Sequence, residues 1–167
     1  MVKTAHYKLL FQLEKEELSP EALAKKLGVH VNTIKKYLRL LEREGLVKVT
    51  RLDNYTLTEK GKLFLTSIKK IVNANEHTYV VTNPDTGELI PLSFNNYEQL
   101  LIIYKYGLVT RDILEEHFKR GYITEWIKNS IGDEYLVKKI EEGEVKSLKD
   151  LIEYIEKIVN IVEEITK

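Results

Sequence analysis

Apolar residues recur along the first sixty positions with a period that changes twice. Leu9, Leu10 and Leu13 give the segment Thr4–Lys15 one stripe at helical spacing, with Thr4 placed to cap its start. Ser19-Pro20-Glu21 then reads as a helix start: a capping hydroxyl, a proline where a missing N–H costs nothing, and an acid at the positive end of the dipole. Gly28 ends that helix. A third runs from about Val31 to Glu44 and stops at Gly45, with Ile34, Leu38 and Leu41 as its buried stripe and Leu40 at the edge. So few residues separate the second and third helices that they form a helix-turn-helix. After Gly45 the period becomes two. Leu46–Val49 and Tyr55–Leu57 alternate about a turn at Asp53-Asn54, which predicts a hairpin directly behind the third helix.

Thr58 caps a fourth helix, in which Leu63, Phe64, Ile68, Ile71 and Val72 recur to about Asn73. The polar stretch Asn73–His77 is the best domain boundary, giving a domain over 1–75 and another over 76–167. The second begins with a hairpin, Thr78–Val81 and Glu88–Leu92 about the turn Asn83–Gly87; Pro91 implies that its second strand soon ends or lies at an edge. Helices follow at about 95–106, 110–119 (capped by Thr110), 122–130 and 133–141. The last helix opens with a capping box, Ser147 to Asp150. Its apolar rows, Leu148-Ile155-Val162 and Leu151-Ile158-Ile165, are widened by Ile152 and Val159 beyond a coiled-coil seam, so it is a packing face, within its own subunit or in a dimer. The fold class is mostly α with small β-hairpins: an N-terminal winged helix-turn-helix plus a C-terminal helical domain opened by a hairpin.

Charge is sorted along this pattern. Up to Asn75 there are 15 Lys/Arg against 8 Asp/Glu, a net +7; from Glu76 there are 11 against 18, a net −7. The formal charge of zero therefore hides a basic half suited to nucleic acid and an acidic half suited to something else. There is no cysteine, which excludes disulfides, thiolate zinc sites and a cysteine nucleophile. No apolar run reaches the ~20 residues that span a bilayer, and the first residues lack a signal-peptide core, so a cytoplasmic protein without membrane contact is expected. Lys and Glu are abundant, at 21 each, while Gln occurs only at positions 12 and 99, a composition of thermophilic archaeal type. His6, His30, His77 and His117 are scattered without metal-ligand spacing, and neither a P-loop nor a nucleophile elbow occurs. No catalytic residue, metal site or cofactor is expected, and the protein is not expected to be an enzyme.

The stretch LSPEALAKKLGVHVNTIKKYLRLLEREGLVKV, followed by YTLTEKGKLFL, resembles winged-helix transcription regulators of the MarR, PadR and ArsR type, over residues 4–75. The resemblance implies that the start of the third helix enters the major groove. Its residues off the apolar stripe are Val31, Asn32, Thr33, Lys35, Lys36 and Arg39, with Tyr37 at the boundary. Asn pairs with the adenine edge, Thr meets a thymine methyl or a phosphate, and Lys reaches guanine or phosphate. In the wing, Lys48, Arg51 and Asn54 would face phosphates or the minor groove. His30 stands at a cap position where the family often has Ser or Thr. It can cap, or contact a phosphate. The implied function is a sequence-specific double-stranded DNA-binding regulator acting as a homodimer, whose candidate dimer surfaces are the 59–73 helix and, with its wider stripe, the 147–166 helix. The alternative is an adaptor whose winged helix docks a protein of the replication or transcription machinery. The segment HFKRGYITEWIKNSIGDEYLVKKI resembles a small prokaryotic domain of unknown function over about 78–141. That resemblance makes Trp126 and Ile127 core residues and Gly132-Asp133 a helix stop and restart, and leaves the acidic half as a site for dimerisation, a protein partner or a small-molecule effector.

Overall fold

The computed structural model describes residues 2–74 and 77–167, and in it the first stripe forms helix α1 (Thr4–Lys15), with Leu9, Leu10 and Leu13 buried. Its cap is not Thr4. Lys3 precedes the first turn, and Nδ1 of the buried His6 accepts the Lys3 N–H at 3.3 Å. Helix α2 (Pro20–Leu27) starts as expected, the Ser19 hydroxyl accepting the Ala22 N–H at 3.1 Å. Gly28 ends it at φ 63°, and a Cβ there would touch nothing, so backbone conformation rather than space selects glycine. Helix α3 (Val31–Arg43) buries Ile34, Leu38 and Leu41.

Strands β1 (Val47–Val49) and β2 (Tyr55–Leu57) pair antiparallel, with Val47 opposite Leu57 and Val49 opposite Tyr55. A third segment joins them. Tyr55 donates its N–H to the Leu18 carbonyl at 2.8 Å and accepts the Leu18 N–H at 3.2 Å, so the link between α1 and α2 is stitched to the wing.

Helix α4 (Glu59–Val72) begins at Thr58, whose hydroxyl accepts the Gly61 N–H at 3.0 Å while donating to the Gly45 carbonyl. A Cβ on Gly61 would lie 2.1 Å from the Leu46 carbonyl oxygen, so α4 rests directly on the backbone at the foot of the wing. This shifts the buried stripe from the expected one. Gly61, Phe64, Leu65 and Ile68 are buried, Leu63 is half-buried and Val72 is exposed. The 61/64/65/68 spacing is helical, but its first member carries no side chain to reveal it.

The chain divides into two compact units, Met1–Ser67 and Ile68–Lys167, the divide falling inside α4. Asn75 and Glu76, where the sequence pattern sets the boundary, lie outside the described residues. Beyond the end of α4 the second unit contains strands β3 (Tyr79–Thr82) and β4 (Leu89–Phe94), Tyr79 opposite Phe94 and Thr82 opposite Leu89, with an irregularity between Val80 and Thr82. Strand β4 runs three residues past Pro91, which a two-stranded ladder tolerates because each strand has a free edge. Helices α5 (Tyr97–Lys105), α6 (Arg111–Lys119), α7 (Tyr122–Trp126), α8 (Glu134–Glu141) and α9 (Leu148–Thr166) follow. Asn96 caps α5 through the Gln99 N–H at 2.9 Å, which delays its start by two residues. Thr110 precedes α6 but makes no capping bond. The expected 122–130 helix is in two parts: after α7 the chain widens into a π-helical turn, Ile127–Ile131, closed by the Gly132 N–H on the Ile127 carbonyl at 2.8 Å.

Trp126 is a core residue. Its Nε1–H donates to the His77 carbonyl at 2.8 Å, and its ring meets Phe94 edge-on at 4.9 Å. Buried His117 places Nε2 2.7 Å from the Thr82 carbonyl, so that nitrogen carries the proton and Nδ1 accepts the Tyr79 hydroxyl. The Ser147–Asp150 capping box forms as expected, and α9 buries Leu148, Leu151, Ile152, Tyr154, Ile155, Ile158 and Ile161. Its wide stripe is thus spent inside its own unit, packed on α5 and α6; only half-buried Val159 and Val162 and exposed Ile165 are left for another surface. Among the described residues no helix is long and apolar enough to cross a membrane.

Asp133, wholly buried, restarts the chain after Gly132: one oxygen accepts the Leu136 N–H at 3.1 Å and the other the Tyr97 hydroxyl at 2.8 Å. Burial pushes its carboxyl up to about 6 from an ordinary 3.8, outweighing both hydrogen bonds. The folded state therefore binds this proton more tightly than the unfolded chain. That contribution to stability is complete below pH 3.8 and is lost as pH rises through about 6. Asp133→Asn, which keeps the cap, should gain on the wild type by up to about 3 kcal/mol between pH 4 and pH 7 in denaturant unfolding. Equal pH dependence in the two proteins would contradict this. Gly61→Ala should cost roughly 1–3 kcal/mol, read as a lowered Tm, because the obstructing atom is backbone and cannot swing away.

Candidate nucleic-acid interface

With Ile34, Leu38 and Leu41 fixed in the core, helical geometry settles what α3 presents outward. Asn32, Lys35, Lys36 and Arg39 recur at i, i+3, i+4 and i+7 on the opposite face, and all four are exposed. His30 is exposed at the head of this stripe. Its Nδ1 accepts the Asn32 N–H at 3.2 Å, so histidine fills the capping role that a hydroxyl usually takes. Val31 and Thr33 are half-buried on the shoulders of the stripe.

Tyr37 is also half-buried, and its ring meets His6 edge-on at 4.7 Å, which joins α3 to the start of α1. The ring packs between the two helices with part of its surface left open, at the boundary of the exposed stripe. Lys35 lies 3.8 Å from Glu21 of α2, an exposed pair that solvent weakens and a phosphate could replace. Among the described residues no carboxylate lies within ion-pair distance of Lys36, Arg39 or Arg51.

The wing stands beside this face. Strand β1 packs on α3, and partial burial pushes the Tyr55 hydroxyl of β2 above its ordinary value, with Glu42 adding and Arg39 opposing. Lys48 is exposed on β1 opposite Thr56, near enough to Glu59 to help Lys62 hold that carboxylate below its usual range. Arg51 is exposed at the hairpin tip. Asn54 is half-buried at the base, where its carbonyl accepts the Thr50 N–H at 2.7 Å and closes the loop.

The fold thus brings His30, Asn32, Lys35, Lys36 and Arg39 onto one helix face, puts Lys48 and Arg51 on the adjoining hairpin, and sets half-buried Tyr37 at the edge of that face against His6. One residue of this surface escaped the sequence reading. Leu52, beside Arg51, is 81% exposed. The alternation that marks the strands stops at Thr50, so a single leucine beyond it carried no pattern.

Such a surface offers amide, ammonium and guanidinium donors on a helix narrow enough for a major groove. A family model described as winged helix-turn-helix matches residues 6–76, which is less than half of the chain. No curated protein and no solved structure matches the chain. The described residues of this stretch therefore form a winged helix-turn-helix, with α2 and α3 as its two helices and β1–β2 as the wing.

Proposed function

We propose that this protein is a sequence-specific transcription regulator that binds double-stranded DNA as a homodimer and is of the MarR, PadR and ArsR type. The observation that carries the reading is the exposed stripe Asn32, Lys35, Lys36, Arg39 on a helix whose other face is locked in the core. Asn32 is suited to the paired N6 and N7 of adenine, Lys35 and Lys36 to guanine or phosphate, and Arg39, Lys48 and Arg51 to the flanking backbone. The +7 charge of residues 1–75 supplies the sequence-independent attraction on which such readout is built. One winged helix covers a short site. A dimer that sets two α3 helices about 34 Å apart on a pseudo-palindrome supplies the missing affinity.

Since α9 spends its apolar stripe internally, the dimer surface we favour is on α5. Exposed Ile102 and Tyr106 share a groove there with half-buried Val159, crossed by the Lys105–Glu156 ion pair. The same strip, on an acidic unit, also favours the second reading, an adaptor that contacts another protein. Between the end of α4, the start of α5 and α9 the second unit holds a cavity of about 280 Å³, lined by Ile71, Val72, Ile131 and Val162 with Asn95 and Asn96 among its polar groups. It suits an effector small enough to sit against the last turn of α4. In this reading the protein is cytoplasmic and catalyses no reaction.

Selection of bound duplexes from a random library should return a two-fold-related motif, and light scattering of the full chain should give a dimer. Each phosphate contact removed by Lys35→Ala or Lys36→Ala should lower the log–log salt slope by about 0.9. Asn32→Ala or Thr33→Ala should instead cost roughly 1–3 kcal/mol at particular base pairs. A quadruple variant that binds like the wild type contradicts the assignment of α3. A stable monomer that recovers no motif moves the weight to the adaptor.

A further inference from the structure

We infer that Leu52 is a minor-groove wedge, which enters between two base pairs and kinks the DNA beside the site read by α3. This rests on the proposed binding of DNA and adds a residue and a mode of recognition to it.

The hairpin is built to present this side chain. Thr50 donates its N–H to the Asn54 carbonyl at 2.7 Å and accepts the Asp53 N–H at 3.2 Å, which folds Thr50–Asp53 into a β-turn. Asp53 turns the chain back with φ 55°. Arg51 and Leu52 are therefore the two central residues of the turn, at the outermost point of the wing. At 81%, Leu52 is the most exposed of the described large apolar residues. Turn centres favour Gly, Pro, Asn, Asp and Ser, each for a conformational reason that leucine does not share. Here leucine neither helps the turn nor covers any core, yet the residue beside it is an arginine without an ion-pair partner among the described residues.

A three-residue hairpin loop is slim enough for a groove about 6 Å wide, where a helix is not. Arg51 would hold the tip at the negative potential of that groove while Leu52 exchanges water for the faces of partly unstacked bases. Proteins that insert an apolar side chain in this way kink the duplex by about 20–90° toward the major groove. Because pyrimidine–purine steps unstack most readily, the wing should favour TA or CA/TG at a position that makes no hydrogen bond with the protein. Recognition would then have two parts: base edges read by α3, and deformability read by Leu52.

The test uses the full chain and a duplex recovered by selection, with fluorophores at its ends and 2-aminopurine placed in turn at each step flanking the α3 site. Wild-type protein should brighten 2-aminopurine at one step and shorten the end-to-end distance. Leu52→Ser should abolish both and weaken binding roughly tenfold, the worth of a buried leucine side chain. Its salt slope should not change, because no phosphate contact is lost. Leu52→Met should restore both signals. Since Leu52 is so exposed, circular dichroism should report the same fold for all three proteins. If Leu52→Ser, at saturation, bends and unstacks the duplex as the wild type does, the wedge is refuted while DNA binding stands. If the wild type binds no duplex even at low salt, the DNA reading itself fails and the wedge falls with it.

Discussion

The first unit depends on one close approach, the backbone of α4 against the Leu46 carbonyl. Gly61 permits it by having no Cβ, and Thr58 secures it by bonding at once to the Gly61 N–H and the Gly45 carbonyl. Gly45 and Leu46 are where α3 ends and the wing begins, and the Leu46 N–H is itself held by the Leu41 carbonyl at 2.9 Å. Three elements are thereby tied at one place: the end of α3, the foot of β1 and the first turn of α4. The placement of the wing against α3 thus rests on this junction rather than on the exposed residues themselves.

Helix ends were legible in the sequence wherever a single residue supplies the whole reason. Ser19, Gly28 and the Ser147–Asp150 pair each satisfy a specific backbone group where the pattern placed them, and Asp133 caps α8 where the resemblance implied a helix restart. The candidate site was legible for a similar reason: once Ile34, Leu38 and Leu41 are buried, helical geometry determines which side chains face away. What remained hidden depends on distant partners. His6 caps α1, but its burial comes with Tyr37 of α3. The bridge between Leu18 and Tyr55 joins residues 37 positions apart and leaves no local signature. The buried face of α4 runs through a glycine that no hydrophobicity pattern counts, and the apolar excess of α9 looked like a surface to share until α5 and α6 were seen to cover it.

Both units bury polar groups with fixed partners, and the first also keeps a set of cations exposed. In the first, His6 is buried with its Nδ1 accepting the Lys3 N–H, while the cations of the α3 face are exposed, Lys35 in a pair with Glu21 that solvent weakens. In the second, polar groups are buried and satisfied: Asp133 by Tyr97 and Leu136, His117 by Tyr79 and Thr82, Trp126 by the His77 carbonyl. Buried groups with fixed partners specify a single arrangement at the cost of desolvation, whereas exposed cations keep their donors for a ligand.

The central claim is that α3 and the wing form a surface that DNA covers. Backbone amide chemical shifts of the full chain, followed during titration with a selected duplex, test it most directly. The account predicts that the largest shifts fall on residues 30–39 and 48–54 and that amides along α5 and the buried part of α9 change little. Shifts concentrated in the second unit, with the amides of α3 unmoved at saturation, would contradict it.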